Sequence, residues 1–137
     1  MFNTEFPIEW GDCDEAGIVF YPNYFYWLDC TFQRLIRARG LSLRELRRRF
    51  GVVTPIVDAG AKFRAPARYD DTLIVEAFVD TWETKRFRVV YKLSIGERAV
   101  AEGFEVRAWA QIDKDGVLSG HAIDITFKDL MKQSRHP

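Results

Sequence analysis

Asp12, Asp14 and Glu15 are interleaved with Gly11 and Gly17, and the run they form leads straight to Tyr21-Pro22. A carboxylate can attack a carbonyl carbon or take a proton from water. Proline suits the first turn of a helix, where its missing N–H would have been unpaired, so Tyr21-Pro22 marks a helix start. Backbone N–H groups and the dipole at such a start favour an anion, including the oxygen that turns negative when a carbonyl is attacked. Gly17 lets a substrate come close to the backbone. Attack on a carbonyl is therefore the chemistry this span is equipped for. Asp14 is the chosen carboxylate and Asp12 its competitor. Each has a structural alternative, Asp14 as an Asx turn ahead of Gly17 and Asp12 as a loop acceptor, and local sequence does not choose between them.

Further along, Asp29 follows Leu28 in an apolar stretch. A carboxylate there needs partners or a polar cavity, because burial alone is costly; it either faces a pocket or pairs across an interface. Arg34, Arg37, Arg39, Arg44, Arg47, Arg48 and Arg49 make the next region basic. They read as solvated helix surface or as a patch for phosphates, and Lys85, Arg86 and Arg88 carry the same two readings. His121 and His136 are the two histidines and belong to no metal-binding pattern, so no metal is assigned. Gly-x-Ser-x-Gly, phosphate-loop and dinucleotide motifs are missing as well, which leaves a carboxylate as the reactive group.

The elements that position these residues follow from periodicity. Glu5 to Trp10 reads as a first strand closed by Gly11. A helix from Pro22 to a stop at Gly40 starts with Tyr24, Phe25, Tyr26, Trp27 and Leu28 in succession, apolar nearly all round, and so is expected to be wrapped by other structure. A shorter helix runs from Ser42 as N-cap to about Arg49, with Leu43, Leu46 and Phe50 on one side and Gly51 closing it. The period then becomes two. Leu73, Val75, Ala77 and Val79 alternate with Ile74, Glu76, Phe78 and Asp80, and Phe87, Val89, Tyr91, Leu93 and Ile95 with Arg86, Arg88, Lys92 and Ser94. Phe104, Val106, Ala108, Ala110 and Ile112 alternate likewise with Glu105, Arg107, Trp109 and Gln111. Turn residues at Gly96 and at Asp113 to Gly116 favour antiparallel neighbours. The plan is α+β, one apolar helix against one curved sheet.

With 137 residues, one domain covering 1–137 is expected. The 20 Lys and Arg balance the 20 Asp and Glu, so nucleic acid is not expected as a partner. No run of apolar residues reaches membrane-spanning length and Met1 to Glu5 lacks the features of a signal peptide, so a cytoplasmic protein without a membrane partner is expected. Cys13 and Cys30 are expected to stay reduced.

Gly11-Asp12-Cys13-Asp14, Ala16-Gly17-Ile18-Val19, Tyr21-Pro22-Asn23-Tyr24 and Trp27-Leu28-Asp29 together resemble the hotdog-fold acyl-CoA thioesterases, most closely the 4-hydroxybenzoyl-CoA thioesterase group. Thr54-Pro55-Ile56-Val57 and Tyr69-Asp70-Asp71 extend the likeness over most of the chain. The resemblance implies a long central helix wrapped by a curved antiparallel sheet, and subunits paired into a continuous sheet with sites at their interface, commonly as a homotetramer. It implies Asp14 as the catalytic carboxylate and the Tyr21 N–H as the donor that polarises the thioester. Asp29 would line the acyl pocket and Thr54 would lie near the site. Gly17, Lys85 and Arg86 complete the expected substrate contacts, and no cofactor beyond the substrate's own coenzyme A is implied. Leu43-Arg44 and Glu83-Thr84 depart from the aromatic thioesterase pattern, where a tryptophan and an arginine pair stand. The leading expectation is hydrolysis of an aromatic acyl-CoA such as 4-hydroxybenzoyl-CoA. Its alternatives are a short- or medium-chain aliphatic acyl-CoA thioesterase and a non-catalytic acyl-CoA binding module.

Overall fold

Period-two alternation forms the two strands at the heart of the sheet. In a computed structural model describing residues 1–132, β4 (Thr72–Trp82) and β5 (Arg86–Ile95) pair antiparallel and bury Leu73, Val75, Ala77, Phe87, Val89, Tyr91 and Leu93 on one face. They lie within a five-stranded antiparallel sheet, ordered β1 (Phe2–Pro7), β4, β5, β6 (Arg98–Ala108), β3 (Ile56–Phe63). A three-stranded sheet of β2 (Val52–Val53), β7 (Ala110–Ile112) and β8 (Leu118–Gly120) continues it beyond β6. Register shifts in β3, β4 and β5 bend the large sheet, as bulges do.

The helix α1 (Pro22–Ala38) fills the concave face. Tyr24, Trp27, Leu28, Thr31, Phe32, Leu35 and Ile36 are buried, the three- and four-residue spacing of a single apolar stripe. The expectation that the first half of the helix is wrapped nearly all round is thus corrected: Tyr26 is 66% exposed, so one side of α1 stays outside the core from its start. Gly103 on β6 lets the helix approach, since a Cβ there would sit 2.9 Å from Leu28 Cδ1. A second helix, α2 (Leu43–Phe50), forms as expected, with Ser42 Oγ accepting from Glu45 N at 3.1 Å and Gly51 left-handed at φ 68°. A third, α3 (Ile125–Lys132), seals the far end by packing Phe127 on Trp109 and Phe87.

Three further corrections follow. The first strand begins earlier and ends at Pro7, while Trp10–Asp12 forms a short 3-10 turn. The strand β3 escapes notice because it is an edge: Asp58 and Lys62 interrupt the pattern, and most of its residues are exposed. In β6 the faces are inverted, with Glu105 and Arg107 inside, as is Trp109 just beyond the strand, and Phe104, Val106 and Ala108 half-buried on the other side. The remaining architecture is the expected α+β hotdog plan of a long helix wrapped by an antiparallel sheet. No helix among the described residues is long and apolar enough to cross a membrane.

Candidate active site

The acidic loop is tied at both ends before it meets α1. Cys13 and Val19 form a bridge, Asp14 N donates to Ile18 O at 2.9 Å, and Gly17 N donates to Asp14 O at 2.9 Å. Gly17 has φ +77°, a conformation costly for other residues. Val19 N also reaches Ala67 O at 2.9 Å, and Ile18 bridges Arg68, so the loop is stitched to the segment after β3.

Within this frame the two aspartates do different work. Asp12 Oδ2 accepts from Glu9 N at 2.8 Å, and its carbonyl accepts from Phe20 N at 2.9 Å and Asn23 Nδ2 at 2.8 Å. Its carboxylate closes the 3-10 turn and its carbonyl pins the start of α1. Asp14 is exposed and spends one oxygen, Oδ1, on Ala16 N at 2.9 Å in an Asx turn. Among the described residues its Oδ2 has no protein partner.

Tyr21 is the N-cap residue of α1 and Pro22 the first helical residue. Pro22 has no N–H, and Asn23 N and Tyr24 N bond back to Phe20 O and Tyr21 O at 3.0 and 3.1 Å. The Tyr21 N–H has no acceptor among the described residues, and no side chain caps the helix. A free backbone donor at the positive end of a helix thus shares one short loop with a free carboxylate oxygen. Alongside runs an open groove of about 660 Å³, floored by Ile18, Tyr24 and Phe63 and edged by Arg64 and Arg68. A concavity of about 480 Å³ on the outer face of the sheet, between Val90 and Phe104, is lined by none of the loop residues.

The other expected residues lie elsewhere. Asp29 is eight positions beyond Tyr21, about 12 Å along the helix axis. Its Oδ1 accepts from Arg107 Nη2 at 2.7 Å and its Oδ2 from Gln33 Nε2 at 2.8 Å. Arg107 Nη1 donates to Thr54 O at 3.0 Å, so one guanidinium joins Asp29 to Thr54. Beneath them Glu105 Oε1 receives Arg107 Nε, Arg107 Nη2 and the Tyr91 hydroxyl at 3.1, 2.9 and 2.5 Å. Burial pushes the Glu105 carboxyl up, against the pull of Arg107 and Tyr91. Burial also works against the Arg107 charge, but Glu105 and Asp29 outweigh it and its pKa is raised. Burial, then the Glu105 charge, drives the Tyr91 hydroxyl well above its ordinary value. Thr54 Oγ1 is buried without a hydrogen-bond partner among the described residues. Glu105 and Arg107 were missed as site residues because their alternation was read on the hydrophobic residues between them.

Lys85 and Arg86 sit at the start of β5, where Arg86 faces Ala108 and Lys85 O accepts from Trp109 N at 2.9 Å. That is the end of the sheet where β3 begins, whereas Arg68 and the acidic loop lie where β3 finishes. The arginine-rich region is dispersed: Arg34 bonds Thr4 and Glu5 and stacks on Phe6, Arg48 pairs with Glu45, and Arg39 is buried. His121 Nε2 lies 3.2 Å from Ser119 Oγ, and His136 falls outside the described residues.

A model of the thioesterase-like superfamily matches residues 8–125. The chain belongs to that superfamily. It is 44% identical over 82 residues to the 4-hydroxybenzoyl-CoA thioesterase of Pseudomonas sp. strain CBS-3, an alignment spanning 58% of each protein, so just over half of that relative is matched. It is 33% identical over 95 residues to the 1,4-dihydroxy-2-naphthoyl-CoA hydrolase of Synechococcus elongatus, covering 69% of this chain and 70% of that one. Among solved structures, an Asp-to-Asn mutant of 4-hydroxybenzoyl-CoA thioesterase complexed with 4-hydroxybenzoyl-CoA superposes with a TM-score of 0.89 at 33% identity. That match covers 96% of this chain and 98% of the other. Hydrolysis of a CoA thioester is the reaction for which these relatives are named, and the superfamily assignment agrees with the fold and the loop described above.

Proposed function

We propose that this protein is an acyl-CoA thioesterase that hydrolyses an aromatic acyl-CoA, such as 4-hydroxybenzoyl-CoA, to the acid and free CoA. The observation that carries the proposal is that one short loop holds both Asp14 Oδ2 and the Tyr21 N–H, neither with a hydrogen-bond partner among the described residues. The thioester carbonyl oxygen would sit on the Tyr21 N–H, stabilised by the helix start as it becomes negative. Asp14 would either attack the carbonyl carbon, giving a mixed anhydride that water then opens, or take the proton from an attacking water. In both routes the C–S bond breaks and CoA leaves as a thiolate. A thiolate is a good leaving group, so no histidine acid is required. Gly17 keeps the loop clear of side chains where the thioester enters.

The remaining expected contacts make better sense for two copies than for one. The sheet has edges at β1 and β3, and β3 exposes two apolar residues, Ile56 and Val57, at 44% and 45%. Two copies joined through β3 about a twofold axis would run those strands antiparallel. The acidic loop at the end of one β3 would then approach Asp29, Thr54, Lys85 and Arg86 near the start of the other. In this assembly Asp29 would line the acyl pocket with the buried Thr54 close behind it, and Lys85 and Arg86 would meet the CoA phosphates. A pair of such dimers would form the homotetramer. We further propose that residues 1–137 act as one domain in the cytoplasm, with no cofactor other than the CoA of the substrate.

Release of free thiol from a panel of aromatic and aliphatic acyl-CoAs tests the reading. Turnover is expected, fastest for a hydroxylated aromatic ester. Saturable binding without thiol release from any ester would contradict it.

A further inference from the structure

Asp29 and Arg107 are unequal partners. The Asp29 side chain is 40% exposed, whereas Arg107 is 5% exposed and Glu105 2%. Arg107 turns its donors onto three acceptors at once: Asp29 Oδ1, Glu105 Oε1 and the Thr54 carbonyl. Its guanidinium also lies 3.9 Å over the Phe32 ring, which fixes its plane. The hydrogen bonds therefore run from a buried tyrosine, through a buried carboxylate and a buried guanidinium, to a carboxylate at the surface of the core. A buried ion pair gives little net stability compared with apolar residues in the same space, so stability alone is a weak reason for this arrangement.

We propose that Arg107 is a positioning residue for the acyl pocket, with Glu105 and Tyr91 as its support. The inference rests on the reading of Asp29 as a wall of the acyl pocket, with Thr54 close behind it. One guanidinium holds the Asp29 carboxylate in a single orientation, and the same group fixes the Thr54 backbone, whose hydroxyl is buried and without a partner among the described residues. Lysine cannot replace it, because a point charge lacks the planar fork that meets three acceptors in fixed directions. Without the fork, a single ammonium cannot hold Glu105, Thr54 and Asp29 in their fixed directions together, and the half-exposed Asp29 turns away. The pocket then loses its acceptor for a hydroxyl on the acyl group, while the thioester end, at Asp14 and Tyr21, is untouched.

The test compares 4-hydroxybenzoyl-CoA with benzoyl-CoA, which differ by one hydroxyl, using thiol release by the full chain. Arg107→Lys is expected to raise KM for the hydroxylated ester roughly tenfold, the scale of losing one hydrogen bond to a charged group. Its kcat is expected to stay within about twofold and the KM for benzoyl-CoA to change by less than about twofold. Adding Asp29→Asn to Arg107→Lys should cause little further loss, because both changes remove one coupled unit. Tyr91→Phe, a milder change to the same support, should shift the same KM by about two- to threefold and decides the matter if Arg107→Lys does not fold. Equal losses on the two esters, or full additivity with Asp29→Asn, would overturn the positioning role while leaving the thioesterase reading intact. A wild-type protein that hydrolyses neither ester would overturn both.

Discussion

The acidic loop and the cluster beneath Asp29 each carry carboxylates and hold them by opposite means. The loop is local: its hydrogen bonds run mostly between backbone atoms a few residues apart, and Asp14 is left exposed with one oxygen free. The cluster is long-range: Arg107 meets Asp29 and Thr54 across 78 and 53 residues of chain, and Glu105 meets Tyr91 across 14. Reactivity needs an unengaged group, whereas recognition needs a fixed one. Under the proposed function, the site would draw its reactive carboxylate from a surface loop and its specificity from the core.

In stability, the cluster should be far the more sensitive of the two. Arg107→Ala is expected to cost about 3–5 kcal/mol, because Glu105 is left buried without its counter-charge. Denaturant unfolding checks this, and a loss below about 1 kcal/mol would mean that the cluster is not a buried unit. Next, Asp12→Ala should cost about 1 kcal/mol, the scale of a lost cap. Gly17→Ala should cost about the same through its positive φ, and a melting temperature unchanged by both would break the picture of a loop held by local bonds. The smallest effect concerns pH. Tyr91 titrates well above its ordinary value of 10.0 in the folded chain, so the folded state holds that proton longer than the unfolded one does. Its contribution is intact below pH 10 and is lost as pH rises further. Melting temperature should therefore fall above that pH, and fall less steeply in Tyr91→Phe.

The same contrast explains what was legible in the sequence. Asp14, Gly17, Tyr21 and Pro22 announce themselves because a turn and a helix start are written in neighbouring residues. Ser42 and Gly51 delimit α2 for the same reason. The inward face of β6 is not legible by alternation: Glu105 and Arg107 look like solvent-facing residues until Tyr91, Asp29 and Thr54 are brought to them by the fold. The strand β3 is hidden for a different reason. An exposed edge has no need of apolar residues on both sides of a pattern, and under the proposed dimer Ile56 and Val57 would pack against a second copy. A Val57→Pro change, which spoils edge pairing, should yield a monomer with little turnover, read by sedimentation and thiol release.

The most direct measurement is kcat for Asp14→Asn, taken on protein whose melting temperature matches the wild type. The substitution keeps the size of the side chain and the acceptor for Ala16 N but removes the charge. We expect kcat to fall by about 10²–10⁴-fold, with Asp12→Asn, once folded, retaining turnover. An Asp14→Asn protein with undiminished kcat would show that Asp14 takes no part in the chemistry.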